Sequence, residues 1–196
     1  MPGPDVQCFI AERLDEAQRS FRRYVSKRQD CPLPHGYHNA SVVVVEREPF
    51  VSEWEGDGVL DPDKADPRWP AACACGYVFQ DEDMWQVNRD RLYRDPRDGS
   101  VHPSHKLPPG AMRLIDWDSW KGPDGRTLIV TLPDSTDWRP DGIANNAKNP
   151  DGTYKLPGWT RTGTPPLVTC TPSIKTSRYH GFLTNGVLRA CGDSET

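Results

Sequence analysis

The chain has 196 residues, a formal charge of −4, 35% hydrophobic residues, 20 prolines, 16 glycines and seven tryptophans. So mild a charge gives no whole-surface footprint for nucleic acid or an anionic membrane, and no apolar run approaches the ~20 residues that span a bilayer. Proline and glycine enrichment together with abundant tryptophan indicates a loop-rich folded protein, because disordered chains are poor in aromatics.

The N-terminus, M-P-G-P-D-V-Q-C-F-I-A-E-R-L, shows neither the basic region nor the long apolar stretch of a signal peptide. Synthesis in a cytoplasm is therefore expected, which disfavours disulfides and turns closely spaced cysteines toward a metal. Residues 5–28 read as an amphipathic helix, because Phe9, Ile10, Leu14, Ala17, Phe21, Tyr24 and Val25 recur at three- and four-residue steps. Asp5 is its expected N-cap. The second half carries Arg19, Arg22, Arg23, Lys27 and Arg28, a charge distribution that suits a helix C-terminus or, alternatively, a basic docking surface. Residues 31–39, C-P-L-P-H-G-Y-H-N, form a connector, since two prolines and a glycine interrupt regular structure.

Ala40–Glu48 reads as a strand around four consecutive valines. Residues 55–70 form an acidic loop with Asp57, Asp61, Asp63 and Asp66, without the D-x-D-x-D-G spacing of a calcium loop. The stretch C-A-C-G at 73–76 follows, then a proline-rich loop bearing His102 and His105, read as surface residues. M-R-L-I-D-W and T-L-I-V-T-L-P read as strands. P-D-G recurs at 123–125, 140–142 and 150–152, in each case with the residue types of a turn. P-L-V-T-C-T-P-S-I is a further strand, and residues 180–191 form a hairpin. The expected fold is α+β: an N-terminal helix (1–30), a connector (31–39) and a mostly antiparallel, loop-rich β domain (40–196), a small sandwich or barrel.

Asn185-Gly186 is a favoured pair for a two-residue type I′ turn. Such a turn sets Thr184 opposite Val187, Leu183 opposite Leu188, Phe182 opposite Arg189 and His180 opposite Cys191. Zinc takes four tetrahedral ligands from thiolate and imidazole. Cys73 and Cys75, with Gly76 to permit a tight turn, would meet that need together with His180 and Cys191; Cys170 competes for the fourth place. Cys8 fits a small buried hydrophobe. Cys31, His35 and His38 make a second, sparser group with no second cysteine close by in the sequence.

C-A-C-G at 73–76, T-P-S-I at 171–174 and H-G-F-L-T-N-G-V-L at 180–188 resemble a domain family of unknown function from bacteria and tailed phages, whose phage members often bear the label "ammonia monooxygenase". The resemblance implies a small β-rich metal-binding domain, with Cys73, Cys75 and His180 as ligands. Ser177 stands where that pattern has a further cysteine, so Cys191 or Cys170 would have to replace it. The resemblance also implies a phage protein, in the host cytoplasm or the virion, with a protein partner or particle assembly as its context.

For function, a metal-stabilised binding protein is the leading expectation. A zinc hydrolase is the first alternative: Cys73, Cys75 and His180 alone would leave an open position, with Glu82 or Asp83 as the base. A cysteine nucleophile paired with His180 is a variant of it. H-E-x-x-H, G-x-S-x-G and P-loop motifs are absent, and oxygen chemistry would ask for more histidines in suitable places. The second alternative is a carbohydrate- or surface-binding module. Trp54, Trp117, Trp120, Trp138 and Trp159 lie in turn-rich sequence near charged residues or glycine, which suits sugar stacking as well as packing on a sheet.

Overall fold

The computed structural model describes residues 4–25, 30–47, 58–116, 120–143, 148–155 and 158–192. Lys27, Arg28, Trp54, Asp57 and Trp117 lie outside them. Among the described residues the regular structure is β, apart from a single 3₁₀ turn at Ser104–Lys106. None of its helices is long and apolar enough to cross a membrane.

The expected N-terminal helix is overturned. Its residues form three strands: β1 (Val6–Gln7), β2 (Phe9–Ile10) and the long β3 (Glu12–Tyr24). The reason lies in the period. Ala17 and Phe21 are four residues apart, a step common to the helical repeat and to two turns of strand alternation. Arg23 continues the alternation and is itself buried. Its guanidinium lies 3.5 Å from the centroid of the Trp85 ring and donates to the Gln80 carbonyl. An arginine at an inward position hides a two-residue repeat from any count of apolar residues.

The chain divides into two compact units. Residues Leu14–Leu92 make one of them. Its sheet runs in the order β4 (Asn39–Arg47), β3, β6 (Met84–Arg94), β5 (Gly58–Leu60). β3 and β4 pair antiparallel over nine residues, from Glu16 opposite Arg47 to Tyr24 opposite Asn39. The valine strand thus exists as expected, yet Val43 and Val45 are 54% and 59% exposed. Strand β6 has no counterpart in the sequence reading. Its buried positions Val87, Arg89, Arg91 and Tyr93 alternate, again with arginines in inward places, and Leu92 is buried as well.

The other unit comprises residues 1–13 and Tyr93–Thr196. β7 (Val101–Pro103) belongs to this unit. β8 (Ala111–Ile115), β9 (Thr127–Thr131) and β10 (Asp137–Trp138) form an antiparallel sheet to which β2 adds in parallel beside β8. A second sheet runs β1, β14 (Val187–Ala190), β13 (His180–Thr184), β12 (Leu167–Lys175), β11 (Thr160–Thr164). Both sheets feed one core: Met112, Leu128 and Val130 from the first, Val168, Ile174, Leu183 and Leu188 from the second. The P-S-I segment interrupts the register of β12 between Cys170 and Ile174, where Pro172 has no N–H to give the ladder. A buried ion pair braces the unit: Arg161 donates to Asp141 at 2.9 Å and to Asp124 at 2.7 and 3.0 Å.

Candidate metal centre

The C-A-C-G stretch is the tip of a small hairpin. Phe79 N–H donates to the Ala71 carbonyl at 3.0 Å, Ala72 bridges Val78, and Cys73 N–H donates to the Tyr77 carbonyl at 2.8 Å. Gly76 closes the turn through N–H to Cys73 O at 2.9 Å with φ +94°, a conformation that glycine adopts without cost. This geometry presents Cys73 and Cys75 on one side of a tight loop.

The chain from 31 to 38 supplies the opposite wall. Gly36 N–H donates to the Leu33 carbonyl at 2.8 Å, and Val25 N–H to the His38 carbonyl at 3.0 Å, which fixes His38 beside the end of β3. One ligand atom each from Cys31, His38, Cys73 and Cys75 lies within 4.8 Å of all the others. His38 Nδ1 stands 3.2 Å from Cys75 Sγ. Cys31, His38 and Cys73 are buried, and Cys75 is half-buried.

The surroundings orient these groups. His38 Nε2 lies 3.0 Å from Asp30 Oδ1. A proton on Nε2, held by that carboxylate, would free Nδ1 to ligate a metal, the usual arrangement behind a histidine ligand; in the metal-free cluster the imidazole instead donates to sulfur. The imidazole is stacked on the Tyr77 ring at 4.2 Å between centroids and 12° between planes. Burial works to raise the Cys73 thiol, but backbone N–H groups of Cys75 and Asn39 donate to its sulfur, and the Cys75 and His38 side chains add to them. The result is a thiol brought down to about 6. Cys31 goes the other way: burial and the neighbouring Cys75 and Cys73 sulfurs raise it against an N–H from Leu33. Three sulfurs this close repel one another as thiolates, a repulsion that a divalent cation relieves. A tetrahedral ion with bonds of ~2.0–2.3 Å sets its ligand atoms ~3.5–3.8 Å apart, so the cluster needs only small side-chain adjustment to close on one.

Cys31, His38, Cys73 and Cys75 thus form a group that could hold a metal ion; among the described residues no other cluster of three or more such side chains converges. Of the four ligands expected from sequence, Cys73 and Cys75 belong to it. His180 and Cys191 do not; they lie in the other unit. Their register is nevertheless as expected: Thr184, Leu183 and Phe182 face Val187, Leu188 and Arg189, and Cys191 N–H donates to the His180 carbonyl at 2.8 Å. Asn185 and Gly186 take positive φ, +46° and +74°, as a type I′ turn requires. Cys170 and Cys8 are buried in the apolar core, where desolvation pushes both thiols up to about 12. All six cysteines are free.

His35 is exposed and packs edge-on against Tyr37. His102 Nε2 lies 2.7 Å from Ser100 Oγ. The carboxylate of Asp83, a candidate base, accepts from Gln80 N–H at 2.8 Å and from the Tyr77 hydroxyl at 3.2 Å, which makes it a turn brace. The Cys31 to His38 spacing was visible in the sequence. What the sequence did not give was its meeting with a hairpin some 35 residues further on.

Fold and site together define an all-β protein with a three-cysteine, one-histidine cluster in one of two units. Compared with family models, with curated proteins and with solved structures, the chain gives no match.

Proposed function

We propose that Leu14–Leu92 is a zinc-stapled β module and that the chain works by binding a protein partner, not by metal-dependent hydrolysis. The observation that carries this reading is the donor set: three sulfurs and one imidazole from the chain itself, within 4.8 Å of one another. Thiolate-rich sets of four favour zinc in a closed, structural site, whereas a hydrolytic zinc keeps one position for water. The apolar cluster around the site is small, with Cys31, Cys73 and Phe79 as its buried members. A core of that size gains most from a metal that crosslinks distant segments. Val43 and Val45, exposed on the strand that ends the sheet order, are apolar surface of the kind a protein partner covers. The assembly role expected from the phage-family resemblance belongs to this same reading.

Metal analysis and cobalt substitution test it. Purified protein should carry one zinc per chain, lost in Cys31→Ser and Cys73→Ser and retained in His180→Ala and Cys191→Ser. The cobalt form should show the intense visible bands of a tetrahedral thiolate site, unchanged by added azide. Bands that shift with azide would mark an open coordination position and restore the hydrolase reading. Zinc lost in His180→Ala but retained in Cys31→Ser would move the site to the C-terminal hairpin.

A further inference from the structure

The unit that lacks the thiol cluster has a cleft of about 490 Å³, a volume ordinary for small-molecule sites. Four aromatic residues line it: Trp120, Trp138, Tyr154 and Trp159. They come from separate places in the sequence and are set at different angles. Trp138 and Trp159 meet edge-on, with centroids 5.2 Å apart and planes at 89°. Trp159 is held by its indole N–H, which donates to the Ser173 carbonyl at 3.3 Å. Trp120 lies against the backbone of Gly142: a Cβ there would stand 3.1 Å from the indole ring. Tyr154 is 49% exposed, with the Lys148 ammonium 5.2 Å from its ring centroid.

We propose that this cleft binds a saccharide, with pyranose rings laid on the indole and phenol faces. The chemistry of the lining supports that class. Aromatic planes suit the apolar C–H face of a sugar ring, and the rim provides the Lys175 ammonium as a donor to its hydroxyls. Aromatic cages also capture quaternary ammonium ions. Here the Lys175 ammonium shares the lining, and the carboxylate of Asp137 is already engaged by Arg113 and the Thr131 hydroxyl. A cationic guest would face repulsion without a free counter-charge, whereas a neutral or acidic sugar would not.

This inference is independent of the thiol cluster. Full-length zinc-replete protein would be applied to a glycan array spanning neutral hexose, N-acetylhexosamine and uronic-acid oligosaccharides. The saccharide best retained would then be titrated by tryptophan fluorescence. Saturable binding is expected, weakened about tenfold or more in Trp120→Ala and in Tyr154→Ala. Phe182→Ala, which removes an exposed aromatic outside the lining, should bind as the parent does. Tyr154→Ala guards against misreading, because its unfolding midpoint should equal that of the parent. Retention of no saccharide would overturn the proposal. So would binding indifferent to both cleft variants, or quenching by tetramethylammonium with none by any sugar.

Discussion

Cys8 and Cys170 in one unit and Cys73 in the other are equally hidden from water, at 3%, 1% and 3% exposure. Their chemistry nonetheless diverges. Burial among apolar side chains pushes Cys8 and Cys170 up to about 12 and leaves them inert, while at Cys73 hydrogen bonds from backbone N–H groups and neighbouring side chains together outweigh burial and bring it to about 6. Burial by itself therefore says little about what a cysteine does. The neighbours decide: leucine and valine make it a small hydrophobe, whereas amide N–H groups, an imidazole and further sulfurs make it a ligand.

The largest expected effect follows directly. If zinc holds Leu14–Leu92 together, chelation should remove hydrogen-exchange protection from β3, β4 and the hairpin at 71–79. Amides of β12, β13 and β14, which rest on the other core, should keep theirs. Structural zinc contributes about 10–16 kcal/mol in small domains, so the loss in the first unit should be near-complete. Equal loss in both units, or none in either, would erase the distinction drawn between their thiols.

The same contrast explains what the sequence disclosed. The C-terminal hairpin was legible down to its register, since an Asn-Gly turn and the strand alternation beside it are local and apolar. The valine strand was legible for its β-branched run. β3 and β6 were not: Arg23, Arg89 and Arg91 occupy inward positions, so β3 mimicked a helix and β6 showed no pattern. The metal centre was half legible. Cys73 and Cys75 stood out because only Ala74 separates them in the chain, but Cys31 and His38 join them only through tertiary structure. The hairpin offered His180 and Cys191 as a correct cross-strand pair, which is a statement about the sheet and not about a ligand set.

A smaller effect should sharpen the role of His38. Asp30 reaches Nε2 from a largely exposed position, so its removal should not disturb packing. Asp30→Ala should weaken zinc binding about 10- to 100-fold while keeping one zinc per chain at saturation, as expected when an outer partner of a histidine ligand is lost. Competition against a chromophoric chelator measures it. An unchanged affinity would mean that stacking on Tyr77 suffices to orient the imidazole.

The smallest effect separates the units by acid. In Leu14–Leu92, falling pH protonates the thiolates and expels the metal, at a pH below the value of about 6 at which Cys73 takes up its proton in the metal-free cluster. The other unit has no such dependence; its acid-sensitive groups are carboxylates. The hydrogen bonds from Arg161 hold the Asp124 carboxyl below the usual carboxylate range, against a smaller effect of burial. A carboxyl lowered in the folded state contributes stability that is fully present above its unfolded value of ~3.9 and is lost as pH falls through the lower folded one. Asp124 is a third exposed and Arg161 keeps Asp141, so solvent screening limits the contribution to about 1 kcal/mol. Asp124→Asn should therefore lower the denaturant midpoint of this unit slightly at pH 7, and the difference from the parent should shrink below pH ~4. A difference that persists unchanged at low pH would mean that Asp124 acts through shape and not through its charge beside Arg161.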